Sequence, residues 1–372
     1  VSTDLPLDAQ PAFAAPSAFG ALPGAVGTPP HHYGNPLREQ RSLADGEAIV
    51  DLSDRAVLTV TGPDRLTWID SLTSQSVAKL APGESSETLL LDPTGRLEYA
   101  VRLIDDGVST WLLLEADEGE RFRVWLDRMR FMLRVEVADR TADYATIGTL
   151  GTPALEAASP NGVSLIWHDP WSAVTAGGHQ YATVASHPAG DWTYSEILID
   201  RAQLPAAAQL PAAGTLALEA LRVAAWRPRR ATEVDERTIP HELDWLRSAV
   251  HLNKGCYRGQ ETVAKVHNLG HPPRRLVMLH LDGSEGVLPE HGDTVLLGDK
   301  EVGEITSAAL HYELGPIALA VIKRSVEPAA ELVVDSGDPV VHLAAAQEVI
   351  VPTDAGAEAN VPRLPRLGAV RR

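Results

Sequence analysis

Apolar and polar positions alternate with a period of two in many short runs of this chain and with a period near 3.6 in a few longer ones, so both strands and helices are expected. Residues 57–61 predict a strand. Gly62-Pro63-Asp64 then opens a helix that carries Leu66, Ile69 and Leu72 at helical spacing. Residues 88–91 and 97–104 predict strands on either side of the turn Asp92-Pro93-Thr94-Gly95, and Asp105-Asp106-Gly107 signals a hairpin into a strand over 110–114. Residues 118–133 predict a helix with Phe122, Trp125, Leu126, Met129 and Leu133 on one stripe, followed by a strand over 135–137. Short strands over 145–150, 163–167, 181–185 and 195–199 are separated by Gly and Pro, with a helix near 153–158. Residues 217–226 predict a helix, with Leu218, Leu221, Arg222 and Ala225 spaced for one face. The stretch 229–252 is polar and irregular. After His271-Pro272-Pro273 only strands are predicted, over 276–281, 294–297, 301–308, 317–322 and 340–343, the pattern of a small antiparallel barrel or sandwich. The fold class is α+β with a C-terminal β module.

Composition changes this picture at the ends. Residues 1–40 hold seven prolines with few charges, too little apolar surface to offset ordering entropy, so a flexible tail is expected. The 372 residues allow two or three domains. No apolar run is long enough to cross a membrane, and the first residues lack the basic and apolar regions of a signal peptide. One cysteine cannot form an internal disulfide, which suits a reducing cytoplasm, and cannot alone hold an iron–sulfur cluster.

The formal net charge of −18 argues against general nucleic-acid binding. The charge is uneven. Between Arg222 and Arg275 eleven Lys and Arg face six Asp and Glu, a net of +5, which leaves −23 elsewhere. A basic island in an acidic chain is a candidate anion site.

The single cysteine lies in that island, within Lys254-Gly255-Cys256-Tyr257-Arg258-Gly259-Gln260-Glu261, at the expected start of a helix. A helix N-terminus favours an anion, and together with Lys254 and Arg258 it would favour a reactive thiolate at Cys256. Gly255 and Gly259 permit close backbone approach or a positive φ. Packing as a small buried hydrophobe is the alternative for Cys256.

This octapeptide, running on into Thr262, resembles the signature of the YgfZ family of folate-binding proteins, relatives of the aminomethyltransferase (T-protein) of the glycine cleavage system. Similar segments follow in order: Leu58 to Leu66 running into Leu72-Thr73-Ser74-Gln75, Leu89 to Leu97, and Val302 to Ala308 followed by Gly315 to Ala320. The resemblance spans about residues 40–352. It implies a T-protein-like arrangement of domains around a central cavity. The core would comprise 41–143 and 215–270, with an inserted α+β subdomain at 144–214, a barrel at 271–352 and a flexible tail at 353–372. It also implies tetrahydrofolate or a related folate as ligand.

A folate needs an apolar slot for the pterin, polar partners for its edge and cations for its glutamate. The candidates are Arg222 for a carboxylate, Trp226 as a stacking wall or else a core residue on the buried helix face, Arg229 and Arg230 for a glutamate tail or else as solvated surface, and Asp92 and Arg96 at the β turn. They join Lys254, Gly255, Tyr257, Arg258, Gly259, Gln260 and Glu261 of the signature. Asp92 before a proline is also simply a turn former. Four histidines, His241, His251, His267 and His271, surround the signature, but a metal site is not expected because Gly270 and the prolines break the helix that would pair His267 with His271.

Two departures from the T-protein pattern bear on activity. Ala224 stands where the T-protein helix has a Glu that helps hold the pterin. The strand after the Gly95 turn, which carries paired aspartates in T-proteins, offers at most Glu98. The expectation is therefore a folate-binding accessory protein that does not cleave glycine. The resemblance further implies support of iron–sulfur cluster assembly or repair through transient contact with client enzymes, tRNA-modifying ones included, with Cys256 as functional thiol. The alternatives are a folate-dependent aminomethyl or one-carbon transferase, and a scaffold of the same fold without ligand.

Overall fold

The computed structural model describes residues 17–359. Helices and sheets are mixed, as expected, in two open sheets and one closed barrel. The chain begins with α1 (Pro36–Ala44), β1 (Ile49–Asp51), β2 (Ala56–Thr61), α2 (Arg65–Leu72), β3 (Ser85–Leu91), β4 (Leu97–Asp105), β5 (Ser109–Leu114), α3 (Gly119–Met129) and β6 (Glu136–Asp139). Strands β3-β4-β5-β2-β6 form an antiparallel sheet in that order. Its inner apolar face packs Leu58, Val60, Leu90, Val101, Leu103 and Leu112 against Trp68 and Ile69 of α2 and Phe122 and Leu126 of α3.

β7 (Tyr144–Thr149), β8 (Ile166–His168), β9 (Ser195–Asp200), the short α4 (Leu204–Ala207) and β10 (Ala212–Ala213) follow. The second sheet has the order β10-β1-β7-β9-β8, so β1 and β2, four residues apart in the chain, belong to different sheets. Next come α5 (Thr215–Ala224), α6 (Arg230–Glu233), α7 (Leu246–Ala249) and α8 (Gln260–Leu269). The chain then closes a six-stranded antiparallel barrel, β11-β14-β13-β12-β15-β16, from β11 (Arg274–Leu281), β12 (Thr294–Leu297), β13 (Lys300–His311), β14 (Gly315–Lys323), β15 (Leu332–Ser336) and β16 (Val341–Val349). Even-numbered Leu276 and Met278 of β11 face the main core while Val277 and Leu279 fill the barrel, the two-residue alternation of a strand covered on both sides.

Several expectations are corrected. Residues 17–40 are not tail: Phe19 is fully buried beside Ile49, Ile147 and Ile199. The Asn35 side chain accepts from Arg38 N to cap α1, with Pro36 in the first turn; a proline there is a helix starter rather than a sign of disorder. Of the expected C-terminal tail, residues 355–359 form a strap on the end of α8. Ala357 N, Glu358 N and Ala359 N donate to the carbonyls of Val266, His267 and Asn268. Residues 1–16 and 360–372 lie outside the described residues. α3 stops at Met129, short of the expected 133, and leaves Phe131 and Met132 exposed. No strand forms over 181–185 and no helix over 153–158, and β15 was not anticipated. No helix among the described residues is long and apolar enough to cross a membrane.

Candidate functional site

The two sheets, α5 and the segment 227–230 line a cavity of about 60 Å³. Trp167, Trp192 and Trp245 supply apolar wall, and Tyr194 adds an aromatic hydroxyl. The remainder is ionic: Arg55, Arg102, Arg222, Arg227, Arg229 and Arg230 alternate with Glu87, Glu115, Asp169, Glu196 and Glu219. β4 turns Ala100 and Arg102 toward the cavity, while the alternate positions Val101 and Leu103 face the core of the first sheet. β9 presents Glu196 from between buried neighbours in the same manner.

Most of this charge is internally paired. Arg227 donates to Glu87 Oε1 at 2.6 Å and Asp169 Oδ2 at 2.9 Å, and its guanidinium lies over the rings of Trp171 and Trp245. Glu87 Oε2 accepts from Trp245 Nε1 and Ser248 Oγ. Glu115 accepts from Arg102 and twice from Arg229. Burial would raise its carboxyl, but Arg55, Arg229 and Arg102 outweigh that and hold it well below the usual range. Glu219 accepts from Arg222 and Arg229.

Glu196 differs. Its Oε1 accepts from Arg102 at 2.7 Å, Tyr194 OH at 3.0 Å and Arg55. Its Oε2 is buried and has no partner. The five cavity acids present ten carboxylate oxygens, and the other nine all accept a hydrogen bond. Burial pushes the Glu196 carboxyl up, and Arg102 and Arg55 more than reverse this, so it is ionised. The cavity therefore holds one charged acceptor without a donor, an arrangement that is costly unless a guest supplies the donor.

The anticipated residues distribute differently. Arg222 lines the cavity, but it is bound to Glu219, Glu233, Arg227 O and Ser307 Oγ. It ties α5 to the barrel rather than offering a free fork. Trp226 lies past the end of α5 with φ 58° and is fully buried outside the cavity wall. Asp92 is a turn former: its carboxylate accepts from Thr94 N, Thr94 Oγ1 and Arg96 N. Arg96 is exposed in an outer groove with Leu97, Glu98, Tyr99 and Trp125. Arg230 lines both that groove and the central cavity.

No residue of Lys254–Glu261 lines the central cavity. The Lys254 side chain is 3% exposed, and its Nζ donates to the carbonyls of Asp70, Thr73 and Gln75 at 2.6–2.9 Å. It anchors the loop to the end of α2 and is not a cation presented to a ligand. Arg258 pairs with Glu98 at 2.6 Å, so a carboxylate of this chain already faces the start of α8. Gly259 has φ 83°, and a Cβ there would meet Asp92 O at 2.7 Å and Gly95 Cα at 3.0 Å. The signature loop thus rests on the β3–β4 turn, and both glycines are required by that contact. Gly255 has open space around it. Tyr257 is buried, which raises its hydroxyl pKa. Gln260 Nε2 lies 3.4 Å from Lys254 O. Glu261 and Cys256 are exposed, so packing does not explain the cysteine.

The basic island is likewise not a surface patch. Arg222, Arg227, Arg229, Arg230 and Arg274 are paired with acids, most of them from elsewhere in the chain. Among the histidines, His241 Nε2 lies 3.0 Å from Val263 O, His267 Nδ1 lies 3.1 Å from Tyr181 OH and His271 Nδ1 lies 2.8 Å from Ala355 O. No group of three possible metal ligands occurs among the described residues. The residues not anticipated are Arg55, Glu87, Arg102, Glu115, Asp169, Tyr194, Glu196, Glu219, Arg227 and the three tryptophans of the wall. Arg102 interrupts the apolar run 100–104 of β4 and was the available signal, whereas Glu87 and Glu196 stand among polar residues at the starts of β3 and β9 and gave none.

Residues 274–352 match the family model of the glycine cleavage T-protein C-terminal barrel domain. An aminomethyltransferase of Herpetosiphon aurantiacus is 25% identical over 312 residues, covering 79% of this chain and 83% of that protein. One of Rippkaea orientalis is 26% identical over 313 residues, covering 77% and 81%. The crystal structure of glycine cleavage system aminomethyltransferase T from Bartonella henselae superimposes with a TM-score of 0.62 at 16% identity, over 85% of this chain and 90% of that one.

Proposed function

We propose that this chain, a T-protein-like protein, binds a reduced folate in its central cavity and does not catalyse aminomethyl transfer. The observation that carries the reading is Glu196 Oε2, the one carboxylate oxygen in the cavity wall that lacks a donor. A pterin presents an amino group and a ring N–H along one edge, and either can donate to this oxygen. Trp167, Trp192 and Trp245 offer flat apolar surface beside it. The carboxylate absent at Ala224 thus has a counterpart on β9. Bound there, tetrahydrofolate would supply one-carbon carrier chemistry at N5 and N10.

Aminomethyl transfer needs a carboxylate able to take up a proton, and the cavity is short of one. The positions of β4 that face the cavity are Ala100 and Arg102, neither of them a carboxylate, and Glu98 is paired with Arg258 in the outer groove. Glu115, Glu196 and Glu219 are held below the usual carboxyl range despite burial, by Arg55, Arg102, Arg222 and Arg229. Carboxylates so stabilised bind and orient but are poor proton acceptors near neutral pH. Isothermal titration should detect tetrahydrofolate binding, and Glu196→Gln should weaken it by about 10- to 100-fold, the weight of a charge-assisted hydrogen bond. Unchanged affinity in a folded variant would remove Glu196 from the site. Release of ammonia and formation of methylenetetrahydrofolate from an aminomethyl donor, dependent on this chain, would refute the non-catalytic reading.

The finer reading, drawn from the YgfZ resemblance, is that the folate-bound protein supports iron–sulfur clusters of cytoplasmic client enzymes through Cys256. Exposure of that thiol beside the start of α8 supports it. Cys256→Ser in cells lacking the native gene should depress the activity of cluster-containing enzymes, tRNA-modifying ones included; full activity would return the role to the fold alone.

A further inference from the structure

We propose that Arg247, Trp226 and His187 form a buried binding site for one small monovalent anion of halide size, behind the wall of the central cavity. Arg247 on α7 is 2% exposed, forms no salt bridge among the described residues, and has Nε and one terminal nitrogen buried without acceptors. Its guanidinium lies 4.8 Å from the centre of the Trp171 ring. That contact engages the ring face but leaves the N–H edges unpaired. Trp226 is fully buried and its indole N–H has no acceptor.

The His187 ring lies 5.2 Å from that of Trp226 and 6.0 Å from that of Trp171. Its Nδ1 accepts from Ala189 N at 3.1 Å, which assigns the proton of the neutral ring to Nε2, and Nε2 is also buried without a partner. Burial, and then Arg247, lower the His187 pKa to about 4, so the neutral form persists at physiological pH.

Arg247 and His187 lie against Trp171 and Trp226 lies against His187, so the three side chains contribute four nitrogen donors and no free acceptor, the N–H of Trp171 itself being taken by Ala225 O. The neighbouring carboxylates are otherwise engaged. Asp169 accepts from Arg227 and Trp192, and Asp244 accepts from the backbone of Tyr181. A water here would accept two N–H groups and bring two protons of its own into a ring of donors. An anion accepts from every donor and also offsets the buried guanidinium.

The test uses the intact protein at fixed ionic strength. Replacing gluconate by bromide should raise Tm saturably, by about 2–4 °C. Crystals grown in bromide should show an anomalous peak in contact with Arg247 and Trp226 Nε1. Arg247→Met should abolish the bromide-dependent rise, and Trp226→Phe, which keeps a ring but removes the N–H, should weaken the halide dependence several-fold. A bromide crystal with water or nothing at that position overturns the proposal whether or not the variants fold, and so does a rise in Tm that Arg247→Met retains.

Discussion

Lys254 and Cys256 stand two residues apart and have opposite characters. Lys254 inserts its ammonium among three carbonyls and beside Asp70, while Cys256 is exposed. Lys254→Met should cost about 2–4 kcal/mol in urea unfolding, because three buried acceptors lose their donor at once. Cys256→Ser should stay within about 0.5 kcal/mol, so any functional loss it causes is chemical rather than structural. Charge counting along the chain marks both as members of one cationic motif; it cannot tell a lysine that serves the backbone from one that serves a ligand. Asp244 carries the pH dependence that can be assigned most directly. It is fully buried with φ 54°, and burial raises its carboxyl to about 7 against a reference of 3.8. The folded state then keeps a proton that the unfolded chain has released, so the parent protein loses stability as pH rises from about 4 to 7. Asp244→Asn keeps an acceptor for Tyr181 N and does not titrate. It should gain on the parent by about 1–3 kcal/mol between pH 4 and pH 8, read from paired urea titrations.

At the level of elements, the close packing of two turns decides how the signature is presented. Gly259→Ala puts a Cβ against Asp92 O and Gly95 Cα in a left-handed conformation. It should destabilise by about 2–4 kcal/mol, seen as a lower Tm. Removing residues 353–372 should lower Tm by several degrees and increase hydrogen exchange in the last turn of α8, since the strap satisfies three carbonyls there. Most strands of the first sheet and the barrel were legible as short apolar or alternating runs between turn residues, β15 being the exception. The second sheet was less so: 181–185 has the composition of a strand but docks by Tyr181 and Ala182 onto Asp244, a contact set by a residue sixty positions away. The order in residues 17–40 was hidden by proline content, although Asn35-Pro36 is itself a helix-start signal.

Across the whole molecule, the T-protein-like architecture could be read from four ordered segments, but the interior of its cavity could not. Ion pairs such as Arg227 with Glu87, Arg229 with Glu115 and Arg102 with Glu196 join residues 94 to 140 positions apart, and no local pattern encodes such partners. The basic island that looked like an outward-facing patch is the set of counter-ions for acids brought in from both sheets. The loop bearing the only sulfhydryl has its footing far upstream, on the end of α2 and the β3–β4 turn. The alkylation rate of that sulfur should consequently report on the integrity of the amino-terminal half. A fragment beginning near residue 200 would retain the cysteine but lose the foundation that holds it out to a partner.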